Sequence, residues 1–330
     1  MAKTLYLFAS GRLGRKDNTL CVELEEGTKY YPVENVRDIY VLGEVDINKK
    51  CLEFLSQKEI LLHFFDYYGY YVGTFYPREH YNSGYMILRQ VEHYLDGEKR
   101  LWLARQFVLG AVSNIKQVLR YYYKRGKNLQ EIVEAIDPLE AKMSNCGSIE
   151  ELMAIEGNIR EYYYKAFNHI LNDTSFHFES RTKQPPQSPL NALISFGNSL
   201  TYTKILGEIY KTHLDPRIGY LHSTNFRRFT LNLDIAEIFK PILADRVIFS
   251  LVGKKMITAK DFEYRGGAVL LKESGRKTFV QEFEEKLQTT IMHRALKRKV
   301  SYQTLIRMEL YKLEKHLMGE KPYQPFVSLW

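Results

Sequence analysis

Of 330 residues only three are cysteine, Cys21, Cys51 and Cys146, odd in number and far apart. They supply neither a disulfide framework nor a paired-cysteine zinc site, and a reducing cytoplasm is the expected compartment. No apolar run approaches the ~18 residues of a membrane span, and residues 1–10 lack the basic region and long apolar core of a signal peptide. Glycine, at 20, and proline, at 10, are too few for a collagen-like or low-complexity chain. No repeat of fixed period is visible. What is present is an ordinary globular composition, 45% apolar and 26% charged, with 47 Lys and Arg against 39 Asp and Glu, a formal charge of +8.

At roughly 100 to 200 residues per domain the length predicts two domains. Residues 4–8, 19–24, 36–42, 60–65 and 70–75 alternate as half-buried strands do, with breaks at 11–18, 26–27 and 68–69, and residues 47–57 have the apolar spacing of a short helix. From Gly84 the periodicity becomes helical, around 84–125, 148–172, 190–212, 231–252, 277–297 and 301–318. The expected fold class is therefore α+β: a β-rich domain over 1–83, then a larger, mostly helical domain over 84–330. Residues 1–83 hold 10 basic and 12 acidic side chains, a balance of −2, which leaves 37 − 27 = +10 for the remainder. A basic excess confined to one domain points to a polyanionic partner, nucleic acid above all, although it also serves solubility. The proline-containing segment 172–189 reads as an exposed connection, and the apolar run 268–271 after Gly266-Gly267 reads as half of a short hairpin.

Four residues in three segments carry chemistry. Ser148-Ile149-Glu150-Glu151 has the form of a capping box, so a helix starts near Ile149. Along it Leu152, Ile155, Ile159, Tyr163, Ala166 and Ile170 share one stripe, and Glu156 falls inside that stripe. A carboxylate facing the interior needs a cation, a metal or several hydrogen bonds; the plain alternative is an ion pair with Arg160, one turn along. Asp234 and Glu237, three apart, lie on one helix face, a pair tolerated when solvated or when a divalent cation neutralises it. Pro241 predicts a bend four residues later. His222, in Gly219-Tyr220-Leu221-His222, is a ligand or acid/base candidate, or else a hydrogen-bonded structural histidine.

Glu156 to Arg160, 189–197, 214–222, 233–241 and Ala244-Asp245-Arg246 form an ordered set, continued by Gly275-Arg276-Lys277, Ser301-Tyr302 and Pro325-Phe326. The set resembles the integrase-endonuclease of CRISPR adaptation, the larger of the two universal CRISPR-associated proteins, over nearly the whole chain. The resemblance implies a homodimer whose N-terminal β domains pair, and a helical domain with a divalent metal, Mg2+ or Mn2+, held by Glu156, His222 and Glu237. Many relatives have aspartate where Glu237 stands, and Asp234 becomes an auxiliary acid. It further implies attack of a DNA 3′-hydroxyl on a phosphodiester of the CRISPR repeat to insert a captured fragment as a spacer, and a small ferredoxin-like partner protein. Arg227, Arg228, Arg276 and Lys277, with Lys254-Lys255 and Lys297-Arg298-Lys299, are candidates for DNA phosphates, and Tyr162 to Tyr164 are candidates for stacking on bases or for the core. A repair nuclease without a CRISPR role and a non-catalytic DNA-binding scaffold are the competing readings.

Overall fold

The computed structural model describes residues 2–78, 81, 83–224, 229–293 and 296–328. The chain divides into two compact units, Met1–Asn82 and Ser83–Trp330.

The first unit holds two four-stranded sheets. One has the order β1-β5-β7-β8, with β1 (Lys3–Leu7), β5 (Val36–Val41) and β7 (Leu61–Phe65) parallel and β8 (Tyr71–Phe75) antiparallel on β7. The central strands β5 and β7 are mostly buried, which explains their continuous apolar runs. The other sheet is β4-β3-β2-β6, where β2 (Gly11–Lys16), β3 (Thr19–Leu24) and β4 (Gly27–Pro32) form a meander and β6 (Val45–Ile47) pairs parallel with β2. Helix α1 (Lys49–Gln57) is capped by Asn48, whose Oδ1 accepts from the Cys51 amide at 2.9 Å. Leu13, Leu20, Ile39, Phe54, Leu55 and Leu62 form the shared core.

Two expectations fail in this unit. Residues 11–16, read as a break, are strand β2, because Gly11, Gly14 and three cations mask an alternation in which Leu13 is fully buried. The tight turn is only Asp17-Asn18, with Asp17 at φ 54° as a two-residue hairpin loop requires. Strand β4 escapes pattern reading because it is an exposed edge, closed by Pro32, with little apolar periodicity.

The second unit is a helical body with two small hairpins. Ser83 and Asp96 cap α2 (Gly84–Leu95) and α3 (Gly97–Tyr123), splitting what reads as one segment over 84–125. Helix α4 (Gln130–Lys142) was hidden by its internal Pro138. Helix α5 (Ile149–Leu171) starts at Ser148, whose Oγ accepts from the Glu151 amide; Glu151 returns a bond to the Gly147 amide, one residue before the cap. Helix α6 (Pro189–Ile209) is buried on nearly every face, so it shows no amphipathic stripe. Helix α7 (Leu231–Phe239) packs on α3 and α6. Pro241 then opens a π turn over Pro241–Asp245, in which the Asp245 amide reaches back to the Lys240 carbonyl at 3.1 Å, before α8 (Arg246–Gly253).

Strands β9 (Phe262–Arg265) and β10 (Ala268–Leu271) make the expected hairpin. The helix expected over 277–297 is α9 (Glu273–Gln288); it stops where the β-branched run Thr289-Thr290-Ile291 enters a second hairpin, β11 (Thr290–His293) with β12 (Arg298–Ser301). Helix α10 (Tyr302–Leu317) leads into a tail whose Phe326 carbonyl and Ser328 amide bond to Asn114 of α3, while Asn114 also donates to the Ile238 carbonyl of α7. Among the described residues no helix is long and apolar enough to cross a membrane.

Candidate active site

Helices α5 and α7 bring the predicted acids together through one cation. Arg160 Nε and Nη2 donate to Glu156 Oε1 at 3.1 and 3.0 Å, and the same Nη2 donates to Glu237 Oε2. The local Glu156–Arg160 pair therefore does form, but it is half of an arrangement whose other acid lies 77 residues further along the chain. Lys240, one turn after Glu237, donates to its second oxygen, Oε1, at 2.6 Å. Burial alone would push the Glu237 carboxyl up; the charges of Lys240, Arg160 and His222 overcome it and hold the group down at about 2. Burial likewise opposes the charge on Arg160, and Glu237 with Glu156 outweighs it, raising its pKa well above the ordinary value.

His222 reaches this group from the loop before α7. The Asp234 carboxylate, fully buried, accepts from the amides of Tyr220 (2.5 Å), Leu221 (3.0 Å) and His222 (3.0 Å) and from His222 Nδ1 at 2.8 Å. A carboxylate only accepts, so Nδ1 carries a proton, and in the neutral imidazole Nε2 keeps the lone pair. Gly219 permits this wrap: a Cβ there would stand 2.8 Å from the Thr230 carbonyl carbon and 2.9 Å from Asp234 Oδ2. Burial lowers the His222 pKa, but the bond to Asp234 and the charges of Asp234 and Glu237 give a net rise.

Asp245, delivered by the π turn, is buried beside Tyr163 and Arg160, and burial raises its carboxyl to about 6 despite the charges of Arg160 and Lys240. Sequence reading treated Arg160 only as a local partner and gave Lys240 and Asp245 no role. Lys240 was legible as an i, i+3 partner of Glu237; nothing local announces the contact between Arg160 and Glu237.

The DNA candidates divide. Arg227 and Arg228 lie outside the described residues. Arg276 and Lys277 lie near the start of α9, where Lys277, exposed, pairs one turn back with Glu273 at 2.7 Å. Lys254 is exposed and 3.6 Å from Glu282, and Lys297, Arg298 and Lys299 are exposed at the β11–β12 hairpin. Tyr163 and Tyr164 are core residues, packed with Phe167, and only Tyr162 keeps substantial exposure. Helix phase explains this: Tyr163 continues the buried stripe of Leu152 and Ile159.

The family model for CRISPR associated protein Cas1 matches residues 5–285. The chain belongs to the Cas1 family. It is 59% identical, over the full length of both chains, to the CRISPR-associated endonuclease Cas1 2 of Thermodesulfovibrio yellowstonii. It shares its fold with a solved Cas1 protein from Thermotoga maritima, at a TM-score of 0.89 and 50% identity, covering 99% of this chain and 100% of the other. A chain in a Cas6-RT-Cas1–Cas2 complex has the same fold at a TM-score of 0.87 and 18% identity, covering 100% of this Cas1-family chain and 36% of that one. The α+β class expected from the sequence is thus that of the Cas1 fold.

Whether the site suits a divalent cation is a question of donor chemistry. Among the described residues no three His, Cys, Asp or Glu side chains already stand in a ligand arrangement. Yet two carboxylates share one cationic nitrogen, and His222, near enough to Glu237 to act on its charge, bonds Asp234 through Nδ1. Two hard oxygens and one imidazole fit manganese or magnesium, and the residues present already gather around a positive charge.

Proposed function

We propose that the chain is a divalent-cation-dependent DNA endonuclease and integrase that inserts captured fragments as new spacers by 3′-hydroxyl attack on CRISPR-repeat phosphodiesters. The observation that carries the reading is the convergence of Glu156 and Glu237 on Arg160, with His222 held by Asp234 alongside, in a Cas1-family chain whose full-length relative is named an endonuclease. Glu156, Glu237 and His222 would hold the cation, which would supply positive charge to the phosphate oxygens and ease deprotonation of an attacking hydroxyl or water.

The chain's own residues do the rest. Asp234 fixes the orientation and tautomer of His222, since its other acceptor capacity is taken up by three backbone amides. Lys240 keeps Glu237 ionised at one oxygen. The basic helical unit, with Arg227, Arg228, Arg276 and Lys277, attracts the phosphate backbone without reading sequence. Pairing of two copies through their β units and assembly with a small ferredoxin-like partner such as Cas2 complete the proposal, and cytoplasmic residence goes with it.

The test is a strand-transfer and cleavage assay on supercoiled repeat-containing DNA with Mn2+, Mg2+ or chelator, with and without the small partner. Chelator should abolish joining, and Glu156→Ala, His222→Ala and Glu237→Ala should each lower it by about 100-fold or more while DNA binding persists. DNA bound but neither joined nor cut under any cation would favour a scaffold. Cutting without joining, even with the partner present, would favour a repair nuclease.

A further inference from the structure

Arg160 stands where a bound cation would meet the two acids. Its Nη2 is shared between Glu156 Oε1 and Glu237 Oε2, and its Nε adds a second bond to Glu156. Lys240 uses the opposite oxygen of Glu237, Oε1, and so leaves the face that Arg160 occupies. A guanidinium does not lose its charge at any physiological pH, so it can clear those oxygens only by moving.

A destination exists. Arg160 Nη1 is buried and makes no hydrogen bond among the described residues; the same holds for Asp245 Oδ2. The two belong to neighbouring groups, since Asp245 acts electrostatically on Arg160. Buried polar atoms are rarely left unsatisfied, and an unused donor on Arg160 beside the buried Asp245 carboxyl, which also meets Tyr163, leaves a second arrangement of the same side chains open. In it Arg160 turns onto Asp245, and Glu156 Oε1 and Glu237 Oε2 are released.

We infer that Arg160 is an internal counter-ion that holds Glu156 and Glu237 together until a divalent cation displaces it, and that Asp245 receives the displaced guanidinium. The inference rests on the reading of Glu156, His222 and Glu237 as ligands. It makes Arg160 a competitor of the metal and Asp245 its helper, so the two residues act with opposite sign on metal affinity.

The experiment is Mn2+ titration of the full-length protein followed by electron paramagnetic resonance of free Mn2+, with thermal unfolding in its presence and absence. Arg160→Gln should bind Mn2+ about tenfold tighter than wild type, within the usual range of coupling between competing sites, unfold at a lower temperature without Mn2+, and gain more on adding it. Asp245→Asn, with Arg160 intact, should bind Mn2+ several-fold more weakly. Equal or weaker binding by a folded Arg160→Gln overturns the competition, and unchanged binding by Asp245→Asn overturns the acceptor role. If Arg160→Gln does not fold without Mn2+, Arg160→Lys takes its place, with binding tighter than wild type expected and unchanged binding contradicting. Glu156→Gln separates the two levels: if it binds Mn2+ as wild type does, the ligand reading itself fails; if it loses binding while Arg160 variants change nothing, only this inference does.

Discussion

Asp234 shows how much one side chain can organise. It accepts three amides and one imidazole, so Asp234→Asn should leave the fold in place, cost about 10- to 100-fold in metal affinity or turnover, and be measurable by Mn2+ binding. Elsewhere in the helical unit, His316 stacks on Trp102 with ring centroids 4.8 Å apart and meets His93 edge-on at 5.4 Å. Burial first, and the neighbouring His93 second, depress His316 from 6.5 to about 4. A depressed histidine means the unfolded chain binds the extra proton, so its contribution to stability is present above pH 6.5 and lost as pH falls toward 4. His316→Phe should flatten the fall of urea-melt stability between pH 6.5 and 4; an unchanged slope would show that His316 does not set it. At this scale the sequence disclosed Glu156, because a carboxylate inside an apolar stripe violates the helix pattern. It disclosed Asp234 and Glu237 by their spacing. It was silent on Arg160 bridging to Glu237 and on Asp245, since the first depends on how α5 meets α7 and the second on the turn that follows α7.

Elements place those residues, and their ends are where changes should be felt. Ser148→Ala removes the cap of α5, the helix carrying Glu156 and Arg160, and should cost about 1 kcal/mol in a denaturant melt. Gly110 of α3 lies so close to the tail and to α7 that an added Cβ would stand 2.6 Å from Pro325 Cβ and 3.2 Å from Ile238 Cγ1. Gly110→Val should therefore destabilise by about 1–3 kcal/mol and disturb α7 just beside Glu237, reading out as loss of both stability and Mn2+ affinity. Most helices were legible because caps and periodicity agree, and the break at Pro241 was legible because proline has no amide to give. That the break is a π turn which buries Asp245 near Tyr163 and Arg160 was not, because several backbone solutions satisfy the same missing amide. Strands β2 and β4 and helix α4 were missed where glycine, edge exposure or an internal proline erased the pattern.

Across the whole molecule the charge is divided, −2 over residues 1–83 and +10 over the rest, and under the proposed function the helical unit is the one to meet DNA. Lys277→Ala should weaken DNA binding and reduce the slope of log affinity against log salt by about one unit; an unchanged slope would remove Lys277 from the phosphate interface. The central claim is that α5, α7 and the loop before α7 build one cation-dependent phosphodiester centre. The most direct measurement is the anomalous difference map of a crystal of the full chain soaked in Mn2+, recorded for wild type and Glu156→Ala. The account predicts one strong peak bounded by Glu156, His222 Nε2 and Glu237, absent in the variant. A peak elsewhere, or one that survives loss of Glu156, would contradict it.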